Sequence, residues 1–476
     1  MKIRNALRLL ALATVSPMVG SVASAQSLHL PPHERVVFKN GLTVLLMEKH
    51  GVPLVSFSAI VKTGSAADSG GQEGLASVTA ELLHKGTKNR SAQQFAADID
   101  FIGGTFEAGA GPDFTTISAE FLTKDLARGL DLFAAAMLHP TFPQEETDKL
   151  IAQDIDGVKA AKDDPESVLF SYYDGYLLSG HPYGRSGGGD ELSLKNIKRD
   201  AIVKFYETNY APGNMILAVA GEFSASEMRK KLEEALGTWP AKAVPALPIP
   251  AAAPAKGKRL LLIDKPDATQ TYFAIGNVGT AANNPDRVAI RMVNAVFGGR
   301  FTSMLNEALR VESGLSYDAG SFFDSRKTPG PFAIYSFTKN ESTVQALDLA
   351  LQTLERLHKE GVTEEQLKSA KSYIKGQFPP TIETSGQLAR RIAVNEFYGL
   401  DDSEVNQLEA RIDAVTPEIA RQVIQKHFPK ENLVFVLIGK SSAIGPAVQK
   451  YAEKQDARAI SEPGFWPPPG ARVSSK

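Results

Sequence analysis

Through residues 34–61 the apolar positions come in short runs of strand length. Arg35-Val36-Val37-Phe38 and Leu42-Thr43-Val44-Leu45-Leu46-Met47 read as two strands, and Asn40-Gly41 between them is a strong hairpin signal. A third apolar run, 52–61, stops at a Thr63-Gly64-Ser65 turn. The period then changes. In residues 74–87 the apolar positions 75, 78, 82 and 83 follow helical spacing, which predicts an amphipathic helix closing on Lys85-Gly86. Ser91-Ala92-Gln93-Gln94 resembles a capping box and predicts a second helix start. Residues 103–110 and 114–122 read as a strand pair around Gly111-Pro112-Asp113. A long helical region, 145–162, ends at Asp163-Asp164-Pro165.

The pattern occurs twice. Asn214-Met215-Ile216-Leu217-Ala218-Val219-Ala220-Gly221 parallels Asn432-Leu433-Val434-Phe435-Val436-Leu437-Ile438-Gly439 at an offset of 218, which also pairs Tyr210 with Phe428. Thr63-Gly64-Ser65 corresponds to Val278-Gly279-Thr280 at an offset of 215. Self-similarity at so long a period means tandem domains, not a solenoid. Between the copies, Pro240, Pro245, Pro248, Pro250 and Pro254 stand among alanines, and such a segment reads as an extended, semi-rigid linker. The expected fold class is therefore α+β. Two tandem homologous α/β domains, 26–239 and 258–476, are joined by a Pro/Ala-rich linker at 240–257.

Composition narrows this picture. A chain of 476 residues suits two domains of about 200 residues each. Its net charge of −2 lacks the basic surplus that usually accompanies nucleic-acid binding. With no cysteine there is no disulfide, no thiol catalysis and no lipoprotein anchor. At the N-terminus Lys2, Arg4 and Arg8 precede an apolar run, 9–22, that ends in Ala23-Ser24-Ala25, the pattern of a secretory signal peptide. The run is broken by Ser16-Pro17 and is shorter than the roughly 20 apolar residues a membrane anchor needs. Removal of residues 1–25 takes away three positive charges and leaves −5 on a chain that starts near Gln26. The expectation is an exported, periplasmic protein without membrane insertion.

Residues 74–87 read Gly-Leu-Ala-Ser-Val-Thr-Ala-Glu-Leu-Leu-His-Lys-Gly-Thr. This frame resembles the metal-binding helix of the pitrilysin (insulinase-type) metallopeptidases, Gly-Leu-Ala-His-Phe-Leu-Glu-His-Met-Leu-Phe-Lys-Gly-Thr. The family's first zinc-binding His falls on Ser77, its catalytic Glu on Ala80 and its second His on Glu81. A zinc hydrolase needs two imidazoles one helical turn apart, a third ligand and a carboxylate to accept a proton. Ser77 is a poor ligand and Ala80 accepts no proton. Glu81 and His84 do place a carboxylate and an imidazole one turn apart, and Asp154 or Asp156 lies on the helix that carries the family's downstream ligand. A displaced metal site from these residues stays open as an alternative to an ordinary helix surface. His181-Pro182-Tyr183-Gly184-Arg185 resembles another landmark of the family. It opens a glycine-rich loop, 181–189, that lacks the strand and glycine spacing of a phosphate cradle and reads as a surface loop.

The second copy carries a better-preserved signature. Phe297-Gly298-Gly299-Arg300-Phe301-Thr302-Ser303-Met304-Leu305-Asn306-Glu307-Ala308-Leu309-Arg310 leads to Gly314-Leu315-Ser316-Tyr317. It resembles the family's Gly-Gly-x-Phe-Thr-Ser-x-Leu-x-x-x-Leu-Arg-x-x-x-Gly-Leu-x-Tyr segment, whose Arg and Tyr bind substrate carbonyl groups near the scissile bond. A guanidinium and a phenol are suitable donors to a carbonyl that gains negative charge. The bland alternative is an Arg310 ion pair with Glu307 or Glu312 and a Tyr317 in the core.

What the resemblance implies is a mitochondrial-processing-peptidase-like metallohydrolase fold and a division of labour known among its members. One chain supplies zinc and the other supplies Arg and Tyr. The expectation is the non-zinc subunit of an exported two-chain metallopeptidase. Arg310 and Tyr317 would act in trans, peptide would be the substrate and the partner a zinc-bearing paralogue. This chain itself would hold no cofactor. A non-catalytic peptide-binding or scaffold protein of the same fold is the alternative, and a self-sufficient hydrolase with a displaced metal is a third.

Overall fold

The structure is a computed structural model that describes residues 29–466. The signal sequence expected at 1–25 lies outside the described residues. The N-terminal hairpin forms as its turn chemistry requires. Strand β1 (Glu34–Val37) pairs antiparallel with β2 (Thr43–Glu48), Val36 faces Val44, and Gly41 sits at φ +91°, where a side chain would be strained. Strand β3 (Leu54–Val61) follows, then the helix Leu75–Glu81. That helix is shorter than its apolar pattern predicts. It tightens into a 3₁₀ turn over Leu82–His84 and hands over to a two-residue ladder, β4 (Gly86–Thr87) with β5 (Arg90–Ser91). The capping box expected at Ser91 is present. The Ser91 hydroxyl accepts from the Gln94 amide and the Gln94 side chain accepts from the Ser91 amide. Strands β6 (Thr105–Ala110), β7 (Thr115–Leu122) and β8 (Met215–Gly221) complete a six-stranded sheet in the order β1-β2-β8-β3-β7-β6.

The second half repeats this sheet. Strands β9 (Arg259–Asp264), β10 (Gln270–Val278), β11 (Ala319–Phe323), β12 (Pro331–Lys339), β13 (Val434–Gly439) and β14 (Lys454–Ala459) take the order β14-β9-β13-β10-β12-β11. From β2 or β9 inward the directions agree strand for strand: one parallel pair, then three antiparallel ones. The outer edges differ. The first sheet ends in a hairpin partner, β1, and the second in the parallel C-terminal strand β14. Gly64 and Gly279 hold equivalent places, each packed near the turn of the following hairpin; a Cβ would collide with the backbone of Gly111 and Phe114 at Gly64, and with the Phe323 ring at Gly279.

Each half lends a helix to the sheet of the other. The period-2 alternation of β8 turns Met215, Leu217 and Val219 toward helices of the first half. Ile216, Ala218 and Ala220 turn toward Leu388 and Ile392 of the helix Ser385–Tyr398, which belongs to the second half. Reciprocally, Val434, Val436 and Ile438 of β13 pack on Leu169, Tyr172 and Tyr173 of the first-half helix Pro165–Leu177. Both central strands are thus buried on both faces, which explains their unbroken apolar runs. The Pro-rich stretch is not a free spacer. It has no helix or strand, yet Ala252 is buried in the same cluster as Tyr173, and the Pro250 carbonyl meets His181 Nε2 at 2.9 Å. Among the described residues no helix is long and apolar enough to cross a membrane.

Candidate functional site

The helix Leu75–Glu81 starts at Gly74, held at φ +97°. Its first turn is capped by Asp68, whose carboxylate accepts from the Gly74 and Ala76 amides at 2.8 and 2.9 Å. Burial pushes the Asp68 carboxyl up to about 7 against the pull of these two donors. The glycine loop packs onto this end of the helix. A Cβ on Gly74 would touch Gly188 and Gly189, and the Ser77 hydroxyl donates to the Gly187 carbonyl at 2.9 Å.

These contacts decide whether the residues fit the zinc that the family uses. Ser77 spends its hydroxyl on backbone, and Ala80 is buried with no group to offer. Glu81 is half-buried, and burial and then the charge of Asp154 raise its pKa. Burial likewise raises Asp154. His84 turns away into an aromatic cage, its ring 5.4 Å from that of Phe106 and 5.9 Å from that of Phe95. Burial there lowers its pKa to about 4, and its Nδ1 is buried with no hydrogen-bond partner. Asp156 pairs instead with Lys159 at 2.9 Å on an exposed face. Glu81 and Asp154 come together, but His84 and Asp156 do not join them. Among the described residues no three His, Asp or Glu side chains converge as metal ligands. The displaced site is not assembled, and the residues present do not fit a catalytic zinc.

The second motif is assembled differently. Ser303 caps a helical turn at Met304–Asn306, which widens over Glu307–Glu312 into i→i+5 bonding, with the Ser313 amide donating to the Ala308 carbonyl at 3.2 Å. Gly314 then reverses the chain at φ +63°, and the Ser316 amide returns to the Leu309 carbonyl at 3.0 Å. Two contacts anchor the returning loop to β12. Thr338 donates to the Leu315 carbonyl at 2.6 Å and Ser336 to the Ser316 hydroxyl at 2.9 Å. The result places Arg310 between two rings, its guanidinium carbon 4.3 Å from the Tyr317 centroid and 4.6 Å from the Phe301 centroid. Tyr317 is 72% exposed and Phe301 62%. Arg310 has no ion pair with Glu307 or Glu312, and Tyr317 is not core. The bland reading of the spacing fails on both counts. Tyr317 stands two residues before β11. The contact of Phe301 with Arg310 has no signal in the sequence beyond the motif that contains both.

The His181–Arg185 stretch is also more than a surface loop. Tyr183 is buried, and its hydroxyl and that of Tyr398 both donate to Asp113, the latter at 3.0 Å. Asp113 accepts in addition from the Lys327 amide at 2.7 Å. Arg326 donates to the Tyr183 carbonyl at 3.0 Å and pairs with Asp174 at 2.7 Å. Residues of both halves meet here, so this pentapeptide belongs to the seam between the sheets. Sequence spacing gives no sign of it, because Asp113 lies 70 residues from Tyr183 and 285 residues from Tyr398.

Comparison with known proteins agrees with this architecture. Residues 43–188 match the family model described as insulinase (peptidase family M16), and residues 196–374 match the one described as peptidase M16 inactive domain. A Rickettsia bellii protein called an uncharacterized zinc protease is 26% identical over 86% of this chain and 96% of its own length. A Bacillus subtilis protein of the same description is 24% identical over 83% of this chain and 96% of its own length. Among solved structures, a peptidase M16 inactive domain from Pseudomonas fluorescens superposes with a TM-score of 0.81 at 25% identity, covering 86% of this chain and 98% of that one. A protease from Helicobacter pylori gives the same TM-score at 21% identity, covering 86% of this chain and all of that one.

Proposed function

We propose, from the premise that this chain belongs to the insulinase-type (M16) peptidase family, that it is the non-zinc subunit of an exported two-chain metallopeptidase. It binds peptide and lends Arg310 and Tyr317 to the site of a zinc-bearing paralogue. The observation that carries this reading is an asymmetry. The three motif positions hold a hydroxyl tied to Gly187, a buried methyl and the half-buried Glu81 without a converging imidazole, whereas Arg310 and Tyr317 stand side by side at the surface with no carboxylate partner among the described residues.

A guanidinium flanked by two rings is restrained in orientation before substrate arrives, and its outward N–H groups remain donors. The Tyr317 hydroxyl offers a second donor. Directed at a scissile carbonyl, the pair stabilises the charge that develops on its oxygen. The zinc of the partner supplies the hydrolytic chemistry.

The test is reconstitution. This chain and a zinc-bearing paralogue from the same organism are purified separately and mixed. Peptide cleavage is expected only in the mixture. Cleavage by this chain alone, or by the paralogue alone at the rate of the mixture, overturns the proposal.

A further inference from the structure

Arg35, Arg90, Arg287, Arg326 and Arg411 each pair with carboxylates. Among the described arginines without a carboxylate partner are Arg291, Arg300, Arg390 and Arg391. Their helices explain why. Arg291 lies on Arg287–Phe297, where the positions one turn away are Arg287, Val288, Asn294 and Ala295. Arg390 and Arg391 lie on Ser385–Tyr398, where the corresponding positions hold Gly386, Gln387, Leu388, Ala393, Val394 and Asn395. None of these can neutralise a guanidinium.

The four belong to one surface. Arg300 donates to the Ser369 hydroxyl at 3.0 Å and lies 5.8 Å from the Tyr373 ring centre, both on the helix Glu364–Gln377. Arg391 lies 5.7 Å from the ring centre of Phe378, the next residue of that segment. The Nε atoms of Arg300 and Arg391 are buried with no hydrogen-bond partner. Burial lowers the pKa of Arg391, and the charges of Arg291 and then Arg390 lower it further, so like charges crowd here without relief. Burial similarly lowers Arg300, with Tyr373 opposing. Arg291 and Arg390 are exposed and Arg300 and Arg391 half-buried, so the patch presents like charge to an incoming anion. Arg300 also precedes Phe301, the residue that clamps Arg310, and their Cα atoms are about 3.8 Å apart.

We propose that Arg291, Arg300, Arg390 and Arg391 recognise an acidic stretch of the peptide substrate beside the Arg310–Tyr317 pair. The proposal rests on the reading that this chain binds peptide. Planar guanidinium forks suit carboxylates in pairs, and Tyr373 gives an apolar surface beside Arg300. The negative net charge of the chain disfavours a nucleic acid as the partner.

Fluorescence anisotropy on the mature chain alone tests it, without need of zinc or cleavage. The probes are a short glutamate-rich peptide with an amidated C-terminus, its glutamine counterpart, and the glutamine peptide with a free C-terminal carboxylate. The glutamate peptide is expected to bind about tenfold or more tightly than either, with affinity falling as salt rises. Arg391→Gln is expected to weaken binding by about tenfold. Arg390→Glu changes an exposed position that folding does not need, and it should weaken binding equally. Equal binding of the three peptides, preference for the free C-terminus, tighter binding of an oligonucleotide of equal charge, or no effect of Arg390→Glu each overturns the proposal. Loss of acidic preference with cleavage by the two-chain mixture intact counts against this inference alone. Acidic binding without cleavage by the mixture counts against the two-chain reading alone.

Discussion

Asp174 and Arg326 pair at 2.7 Å across the two halves of the chain, with the arginine side chain only 7% exposed. Asp174 comes from the helix that the first half lends to the second sheet, and Arg326 from the loop between β11 and β12. Burial pushes the Asp174 carboxyl up to about 6, and Arg326 works against that rise. The native state thus holds this proton more tightly than an unfolded chain, where a carboxyl titrates near 3.9. The contribution of Asp174 to stability is fully present below about pH 4 and is lost as the pH rises through about 6.

Arg326→Met removes the opposing cation and leaves Asp174 without a counter-charge. The variant is expected to lose about 3–5 kcal/mol at pH 7.5 and distinctly less at pH 5, where the carboxyl is protonated. Urea unfolding at the two pH values checks this. An equal loss at both means the arginine acts by packing alone.

His84 supplies a second pH test of opposite sign. Its folded pKa, about 4, lies below the ordinary 6.5, so its contribution to stability is present above pH 6.5 and lost as the pH falls toward 4. His84→Phe completes the cluster of Phe95 and Phe106 with a ring that does not titrate. At pH 5 the variant is expected to gain about 2 kcal/mol over the parent. At pH 8 the difference should nearly vanish. A gain that is the same at both pH values assigns the effect to packing.

The purified chain is expected to carry no stoichiometric zinc. The reason is local: Ser77 is committed to Gly187, Ala80 is inert and His84 is turned away from Glu81 and Asp154. Elemental analysis after purification without chelator measures it. One zinc per chain, lost on His84→Ala, contradicts the account.

Export is a separate prediction. Native protein from an extracytoplasmic fraction is expected to begin near Gln26. N-terminal sequencing that recovers Met1 from native cells contradicts it.

Much of this was legible along the chain because it is local or periodic. Asn40-Gly41 fixed the hairpin, Ser91 the cap, and the paired apolar runs of β8 and β13 gave two copies of one sheet. For Arg310 and Tyr317 the pointer was the family resemblance of residues 297–317, because their spacing alone favours an ion pair and a core ring. What was hidden depends on partners distant in sequence. The apolar run of β13 is buried on both faces only because Leu169 and Tyr173 come from the other half. Tyr183 looked like part of a loop because Asp113 and Tyr398 lie far along the chain. His84 stayed open as a ligand or a surface residue because sequence shows its spacing to Glu81 and not the rings of Phe95 and Phe106.

The central claim is that Arg310 and Tyr317 act on a carbonyl in the site of another chain. Tyr317→Phe tests it most directly, because it deletes one hydroxyl and leaves the ring against Arg310. The measurement is the turnover number of the reconstituted two-chain enzyme with wild-type or Tyr317→Phe subunit, at equal assembly and equal zinc in the partner. The account predicts a fall of about 10²–10³, the cost of one lost donor to a developing oxyanion. Unaltered turnover would contradict it and leave the pair a structural feature of a peptide-binding scaffold.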